Sequence, residues 1–360
     1  VKQRFMKEVR ANFLQIFGIT GSLDGDMFLQ YQYTEKKILK VFLEKNKEGL
    51  YEVKVDFSKD FNELFEMLEN RSKEIHNHPD PILELTEHEI KEFFNDKTDV
   101  VYIPAGRSMI TLLSNQMNYI YSSMDDIQKR NMDYCTRSYL EKILQMKSVF
   151  TISPVEMLND VIAMTYIKID EERAKESISL MKQLLQGEYI NKDGEERLQV
   201  SKNRYVKLNY ASSGQQEVVW ILNVLFYYLL NGESTYFIIE EPESHLFPNS
   251  QKLVMEFIAL VCNGNGNQLF LTTHSPYILG TINNLLYADK VSKDVDESQL
   301  SRIISKNKWL NYDKVNAIFV QNGKIKSCLD EEFKSIENEV IDGVSEQINE
   351  DYDKMLELKG

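Results

Sequence analysis

"FIIEEPESHLFP", residues 237–248, decides the fold. An apolar run enters two adjacent glutamates, then a proline and a third glutamate. The run 236–239, "YFII", reads as a strand buried on both faces, the pattern of a parallel sheet. Carboxylates at the C-terminal end of such a strand lie where open α/β sheets bind ligands. Glu240 can then help hold a divalent cation, directly or through water, and Glu241 can polarise a water for attack on a phosphate. Taken alone, the same letters also describe a strand that ends in a solvated acidic turn, so the neighbouring sequence has to choose.

Upstream lies "NYASSGQQE", residues 209–217, a small polar cluster before a long apolar helix. The first turn of a helix presents unpaired amides and the positive end of its dipole, which suits an anion. Ser212, Ser213, Gly214 and Gln215 are the candidate contacts, and ordinary capping by serine is the plainer alternative. Downstream, "QLFLTTHSPYIL", residues 268–279, is a second buried strand that delivers His274 to its C-terminal end. Imidazole there can donate to a phosphate oxygen or hold a water, or "HSP" can be only a helix cap. A serine-capped helix, a strand ending in two acids and a strand ending in histidine, in that order, are hard to obtain by accident.

Working outward, residues 1–17 predict an amphipathic helix with Phe5, Val9, Phe13 and Phe17 on one face. "MFLQYQYT", "KKILKVFLEKN" and "LYEVKVDF" predict a β-meander, and "DFNELFEMLENRSKEI" a helix. "DVVYIPAGR" is a short buried strand with a Pro-Gly turn, and 108–186 reads as helical, closed by Gly187 as a C-cap. A hairpin of two or three strands turns at "NKDG". Helix 214–231, strand 235–240, helix 248–262, strand 268–272 and a short helix 275–284 follow, an alternation that implies a parallel sheet. "KVNAIFVQNGKIKSCL" predicts a second hairpin, and the tail 330–358 an acidic amphipathic helix with Ile336, Val340, Val344 and Ile348 at i+4 steps.

The 360 residues carry a net charge of −14, which disfavours non-specific coating of nucleic acid but leaves room for a local basic groove. Cys135, Cys262 and Cys328 are odd in number and far apart, against a disulfide framework or zinc site and in favour of a reducing, cytoplasmic setting. No apolar run is long enough to span a bilayer, so no membrane association is expected. His76 and His78 in "IHNHPD" have no third ligand nearby and read as a solvated loop. Arg107 in "PAGRS" can reach a phosphate or form a structural ion pair.

In the order and spacing of these motifs the chain resembles the ABC-type ATPases of the SMC/RecF/OLD branch. "ASSGQQE" resembles the signature motif, "FIIEEP" Walker B, "ESHLFP" the D-loop and "TTHSP" the switch-histidine loop. "VVYIPAGRS" and the tail "IDGVSEQINEDYDKML" resemble the ATPases of prokaryotic phage-defence systems of Septu and OLD type. The resemblance implies an α/β ABC-ATPase head with a mostly parallel sheet, an antiparallel β subdomain and an inserted helical lobe. Its parts would be 1–107 (first part of the head), 108–186 (helical lobe), 187–329 (C-terminal ATPase core) and 330–360 (acidic helix). It implies a homodimer or higher oligomer closing on ATP and Mg²⁺. Ser212, Ser213 and Gly214, with Gln215, would contact the γ-phosphate held by the other copy. Glu240 would serve the metal, Glu241 would activate water, and His274 would sense the γ-phosphate. Ser244 and His245 would lie at the dimer interface. The implied output is control of a separate effector, a nuclease or toxin; the alternatives are a RecF-like sensor of DNA and a non-hydrolysing scaffold.

The chain departs from that pattern in places. The metal-side acid is Glu240 rather than Asp, and Ala211 and Ser213 replace the signature's leading Leu and first Gly. No G-x-x-x-x-G-K-[ST] occurs, and "GITGSLDG" (18–25) lacks the Lys-Ser/Thr pair. The expectation is a P-loop on native sequence upstream of Val1. Gln15, Gln30 and Gln32 are weak candidates for a Q-loop. Gln321 in "FVQNG" has no carboxylate, so no nuclease site is expected in this chain.

Overall fold

The computed structural model describes residues 1–16, 27–74, 88–96, 98–125, 134–164, 169–337 and 339–359. Phe17, the "GITGSLDG" loop, His76 and His78 lie outside these. The chain divides into two compact units, residues 1–97 with 124–137, and residues 98–123 with 138–360.

In the first unit, α1 (Lys2–Ile16) and the meander β1 (Phe28–Gln32), β2 (Ile38–Lys45) and β3 (Tyr51–Phe57) precede α2 (Lys59–Glu74). The three strands are antiparallel in the order β1-β2-β3. Alternation puts Val41, Val53 and Val55 on the face that receives Phe13 of α1, with Met6, Val9, Leu39 and Leu43 around them. A second apolar contact is aromatic: Phe57 meets Phe65 edge to face at 4.9 Å between ring centres.

The second unit begins with β4 (Asp99–Ile103) and α3 (Arg107–Ser123), and continues with α4 (Tyr134–Met146, whose first four residues belong to the first unit), α5 (Pro154–Ala163) and α6 (Glu171–Leu185). An antiparallel sheet follows, β5 (Glu188–Lys192), β6 (Glu195–Ser201) and β7 (Arg204–Lys207). Its first turn is Asp193-Gly194, both with positive φ, as a two-residue hairpin loop requires. Then come α7 (Ser213–Asn231), β8 (Thr235–Glu240), α8 (Pro248–Cys262), β9 (Gln268–Thr272) and α9 (Pro276–Val291). The strands β4, β8 and β9 form a parallel sheet with β8 in the centre. The architecture is therefore α/β, a parallel sheet with separate antiparallel sheets and helices.

The alternation "SGQQEVVWILNVLFYYLLN" is apolar on every side, and α7 is accordingly buried almost throughout. It packs beside α3, α6 and α8. Phe237 and Ile239 of β8 and Ile103 of β4 point to the α7 face and are fully buried, with Tyr228 of α7 edge-on to Phe237 at 5.8 Å. The other face is more open: Val100 is 65% and Phe270 48% exposed. Parallel sheets are ordinarily covered on both faces, and no described element covers this one fully.

Several sequence expectations need correction. Gln186, not Gly187, takes the left-handed position that ends α6, at φ 51°. Gly187 is required for a different reason: a Cβ there would stand 2.9 Å from the carbonyl oxygen of Gln199. The helix expected at 275–284 continues to Val291, because Leu285, Leu286 and Ala288 stay on its buried face. The short α10 (Glu297–Ile303) was not foreseen, since it buries no residue and has no apolar periodicity to show.

After the hairpin β10 (Ile318–Gln321) and β11 (Lys324–Ser327), a small pair β12 (Leu329–Asp330) and β13 (Ser335–Ile336) precedes α11 (Glu339–Lys359). Ile336 therefore does not begin the helical stripe of the tail; it is buried in a cluster with Leu286 and Cys328. No helix among the described residues is long and apolar enough to cross a membrane.

Candidate active site at the strand ends

The C-terminal ends of β4, β8 and β9 open together, because the three strands run parallel and in register from Ile103 to Ile239 and from Glu240 to Thr272. Glu240 closes β8, and both of its carboxylate oxygens are engaged. Oε1 accepts from the Tyr102 hydroxyl at 2.6 Å and Oε2 from the Ala105 amide at 3.2 Å. Each oxygen keeps a further lone pair.

Glu241 leaves the strand in the left-handed region, at φ 40°. Its amide donates to the Thr272 carbonyl at 3.0 Å, which fastens the turn to β9. Its side chain is 39% exposed; Oε2 accepts from Ser244 Oγ at 3.1 Å, and Oε1 lies 3.5 Å from His274 Nε2. His274 is 85% exposed, so the pair faces solvent at the edge of the sheet. The bend at Glu241 is what turns the carboxylate toward β9; in an extended continuation its side chain would alternate onto the opposite face of the sheet.

Glu243, which the sequence reading passed over, builds the other half of this turn. Its Oε1 accepts from Thr273 Oγ1 and from the His274 amide, both at 2.7 Å. Its Oε2 is buried and finds no partner among the described residues. The third glutamate of "EEPES" is the sequence signal for it, since a carboxylate two residues past a turn is placed to accept from the adjoining strand's loop.

The start of α7 adjoins this turn. A Cβ on Gly214 would stand 2.8 Å from the His245 carbonyl oxygen and 3.1 Å from Leu246 Cδ2, so only glycine lets the helix tip sit on residues 245–246. Ser212 is the N-cap. Its Oγ accepts from the Gln215 amide at 3.3 Å, while Gln215 Oε1 accepts from both the Ser212 amide and hydroxyl at 3.0 Å. Gln215 Nε2 also donates to the Leu185 carbonyl at 2.7 Å. Ser212 and Gln215 thus form a capping box, the plainer reading of these two residues. Ser213 is exposed, and its hydroxyl makes no hydrogen bond among the described residues. It opens the helix beside Gly214, where the first amides have no intrahelical acceptor. His245 is exposed with φ 58°.

The structure therefore brings Glu241, Ser244 and His274 together, holds the Glu240 carboxylate against Tyr102 and Ala105 on the β4 side, and seats Gly214 on His245 and Leu246. Among the described residues no group of three or more His, Cys, Asp or Glu is arranged to hold a metal ion. Glu240, with a lone pair to spare on each oxygen, is the carboxylate at these strand ends that could serve a cation which completes its shell with water and substrate phosphates, as Mg²⁺ does.

Residues 28–279 match the AAA ATPase domain family, and the chain belongs to that family. No curated protein sequence matches it. An ATPase domain implies nucleotide binding.

Proposed function

We propose that this chain is a hydrolytic ATPase head of the ABC type, which closes on ATP as a dimer and thereby controls a separate effector. The observation that carries the hydrolytic reading is Glu241: a carboxylate turned by a left-handed residue toward His274, at the carboxyl ends of parallel strands.

In this reading the γ-phosphate sits beyond Glu241. A water held between Glu241 and His274 attacks phosphorus in line, its proton passes to the Glu241 carboxylate, and the bond to the bridging oxygen breaks, leaving ADP. His274 donates to a γ-phosphate oxygen or to the water. Glu240 would serve Mg²⁺, which neutralises charge on the phosphates when bound. Ser244 holds the carboxylate of Glu241 in one orientation. Ser213 and the first amides of α7 offer donors to phosphate oxygens across the gap to a second copy. The effector, a nuclease or toxin of a phage-defence system, rests on the resemblance of the motifs.

The dimer is tested by light scattering on the native full-length protein carrying Glu241→Gln. ATP with Mg²⁺ should double its mass, and Ser213→Arg in the same background should abolish the doubling. An ATP-bound protein that stays monomeric at every concentration would overturn the clamp.

A further inference from the structure

Arg107 is a fully buried cation of the second unit, and nothing in the hydrolytic scheme employs it. It is the first residue of α3 and is 0% exposed. Its guanidinium donates to four main-chain carbonyls. Nη1 reaches Pro104 at 2.6 Å and Glu240 at 2.7 Å, Nη2 reaches Glu241 at 2.9 Å, and Nε reaches Glu217 at 3.1 Å. The Glu217 carboxylate, also buried, holds Arg107 in turn. Its Oε2 accepts from the Arg107 amide at 3.0 Å and lies 3.3 Å from Nε, and its Oε1 accepts from the Ser108 amide at 2.9 Å.

Two of those four carbonyls belong to consecutive residues, 240 and 241. Along an extended strand successive carbonyls point to opposite sides, so one planar group cannot bind both. Here it does, because Glu241 between them is left-handed. That conformation is unfavourable twice over. A side chain with a Cβ resists positive φ, and a residue before proline, here Pro242, is biased to extended backbone. Such a conformation persists where the surroundings over-determine it, and a fixed fork of donors is a means of doing so. The amide bonds of Glu241 to Thr272 and of Ser244 to the Glu241 carbonyl hold the same turn from the other side.

We infer that Arg107, seated by Glu217, is a positioning residue that keeps Glu241 in its left-handed bend and so aims the Glu241 carboxylate at His274. This deepens the hydrolytic reading of the same site and rests on it for its effect on catalysis, but the geometric claim stands apart. Because Arg107 also begins α3, any displacement of that helix is passed to the backbone of Glu241 through hydrogen bonds no longer than 2.9 Å.

The test compares full-length wild type with Arg107→Lys and Glu217→Gln. Steady-state ATP hydrolysis and residue-resolved hydrogen exchange across 236–247 are measured on each. Lysine keeps the charge but cannot span two carbonyls with a rigid fork. For Arg107→Lys, kcat should fall on the order of tenfold to a hundredfold, the scale for misplacing a reacting group by about 1 Å, with KM for ATP little changed. The amides of Glu241 and Ser244 should exchange roughly tenfold faster, while those of Tyr236–Ile239 keep their wild-type protection. Glu217→Gln should show the same pattern at smaller amplitude, and it reports in place of the lysine variant should that one fail to fold.

Unchanged exchange at Glu241 and Ser244 in both variants overturns the inference. So does faster exchange spread evenly along β8, which marks a merely structural role. If the wild type hydrolyses no ATP, the hydrolytic reading falls, and the exchange pattern alone still decides whether Arg107 holds the bend.

Discussion

Replacing Gly214 by alanine separates the two things this glycine does. In the second position of a helix, alanine is intrinsically better than glycine by up to about 1 kcal/mol. Against that, the new Cβ would meet the His245 carbonyl oxygen at 2.8 Å, about 0.6 Å inside the distance at which ordinary van der Waals contact begins. The obstructing atom is backbone, held by the turn that the Ser244 and Leu246 amides close by donating hydrogen bonds to the Glu241 and Glu243 carbonyls at 3.1 and 2.9 Å, so it cannot simply rotate away. Overpacking of this sort costs roughly 1–3 kcal/mol. The net stability change is therefore a loss of about 0–3 kcal/mol, and chemical denaturation should find the protein folded. Activity should suffer more. Relief of the clash moves the α7 tip and residues 245–246 apart by about half an ångström, and a catalytic array loses on the order of tenfold or more for such a shift. The assay is ATP turnover by the full-length variant beside its urea midpoint. A variant as active as wild type and at least as stable would show that the packing of α7 on residues 245–246 does not set the geometry of the site.

Other expectations follow from the same contacts. Ser212→Ala removes the cap of α7 and should cost about 1 kcal/mol of stability by denaturation, whereas Ser213→Ala should leave stability alone and weaken ATP turnover. Equal effects on stability would contradict this division of labour. Lys308 lies between Glu256 at 2.8 Å and Glu176 at 3.2 Å, all three largely buried. Lys308→Met removes the buried cation that both carboxylates share, leaving Glu256 with Lys252 at 3.6 Å and Glu176 with the neutral donors Ser305 and Asn307, and should cost about 3 kcal/mol in urea denaturation, with the double change Lys308→Met and Glu256→Leu recovering part of it. The Glu156 carboxyl is held below its ordinary value by hydrogen bonds from the Ser153 amide and hydroxyl at the start of α5. Its folded value is the lower one, so its contribution is complete above the unfolded value and is lost as pH falls through the folded one. The difference in melting midpoint between wild type and Glu156→Gln should shrink on acidification through the carboxylate range, and a constant difference would refute the assignment.

The central sheet was legible because its elements are nearly pure signals. "TYFIIE" and "QLFLT" are short apolar runs between turn residues, and β8 and β9 occupy those residues. Glu241 and His274 are candidates singly, each just past a predicted strand, and only the order of the motifs joins them; that β8 and β9 are neighbours, which sets the two side chains 3.5 Å apart, is a fact of the fold. Arg107 could not be assigned a role that way. Its partners are backbone carbonyls 133 and 134 residues away, and a carbonyl carries no residue identity for a sequence to show. Glu217 was hidden for a related reason, since a glutamate inside "SSGQQEVVW" reads as part of a polar helix start until a buried arginine is found beside it. Gly187 was read as a helix cap because glycine favours positive φ, yet its place is fixed by the approach of Gln199. Tail residue Ile336 shared a helical spacing with Val340 by coincidence, and burial with Leu286 and Cys328 holds it in a strand.

Single-turnover hydrolysis by the Glu241→Gln full-length protein tests the assignment of the base most directly. With enzyme in excess over radiolabelled ATP and Mg²⁺, the nucleotide should bind with wild-type affinity and release phosphate at least about 100-fold more slowly, as loss of a general base requires. Phosphate release at the wild-type rate from a fully bound Glu241→Gln complex would show that Glu241 is not the base.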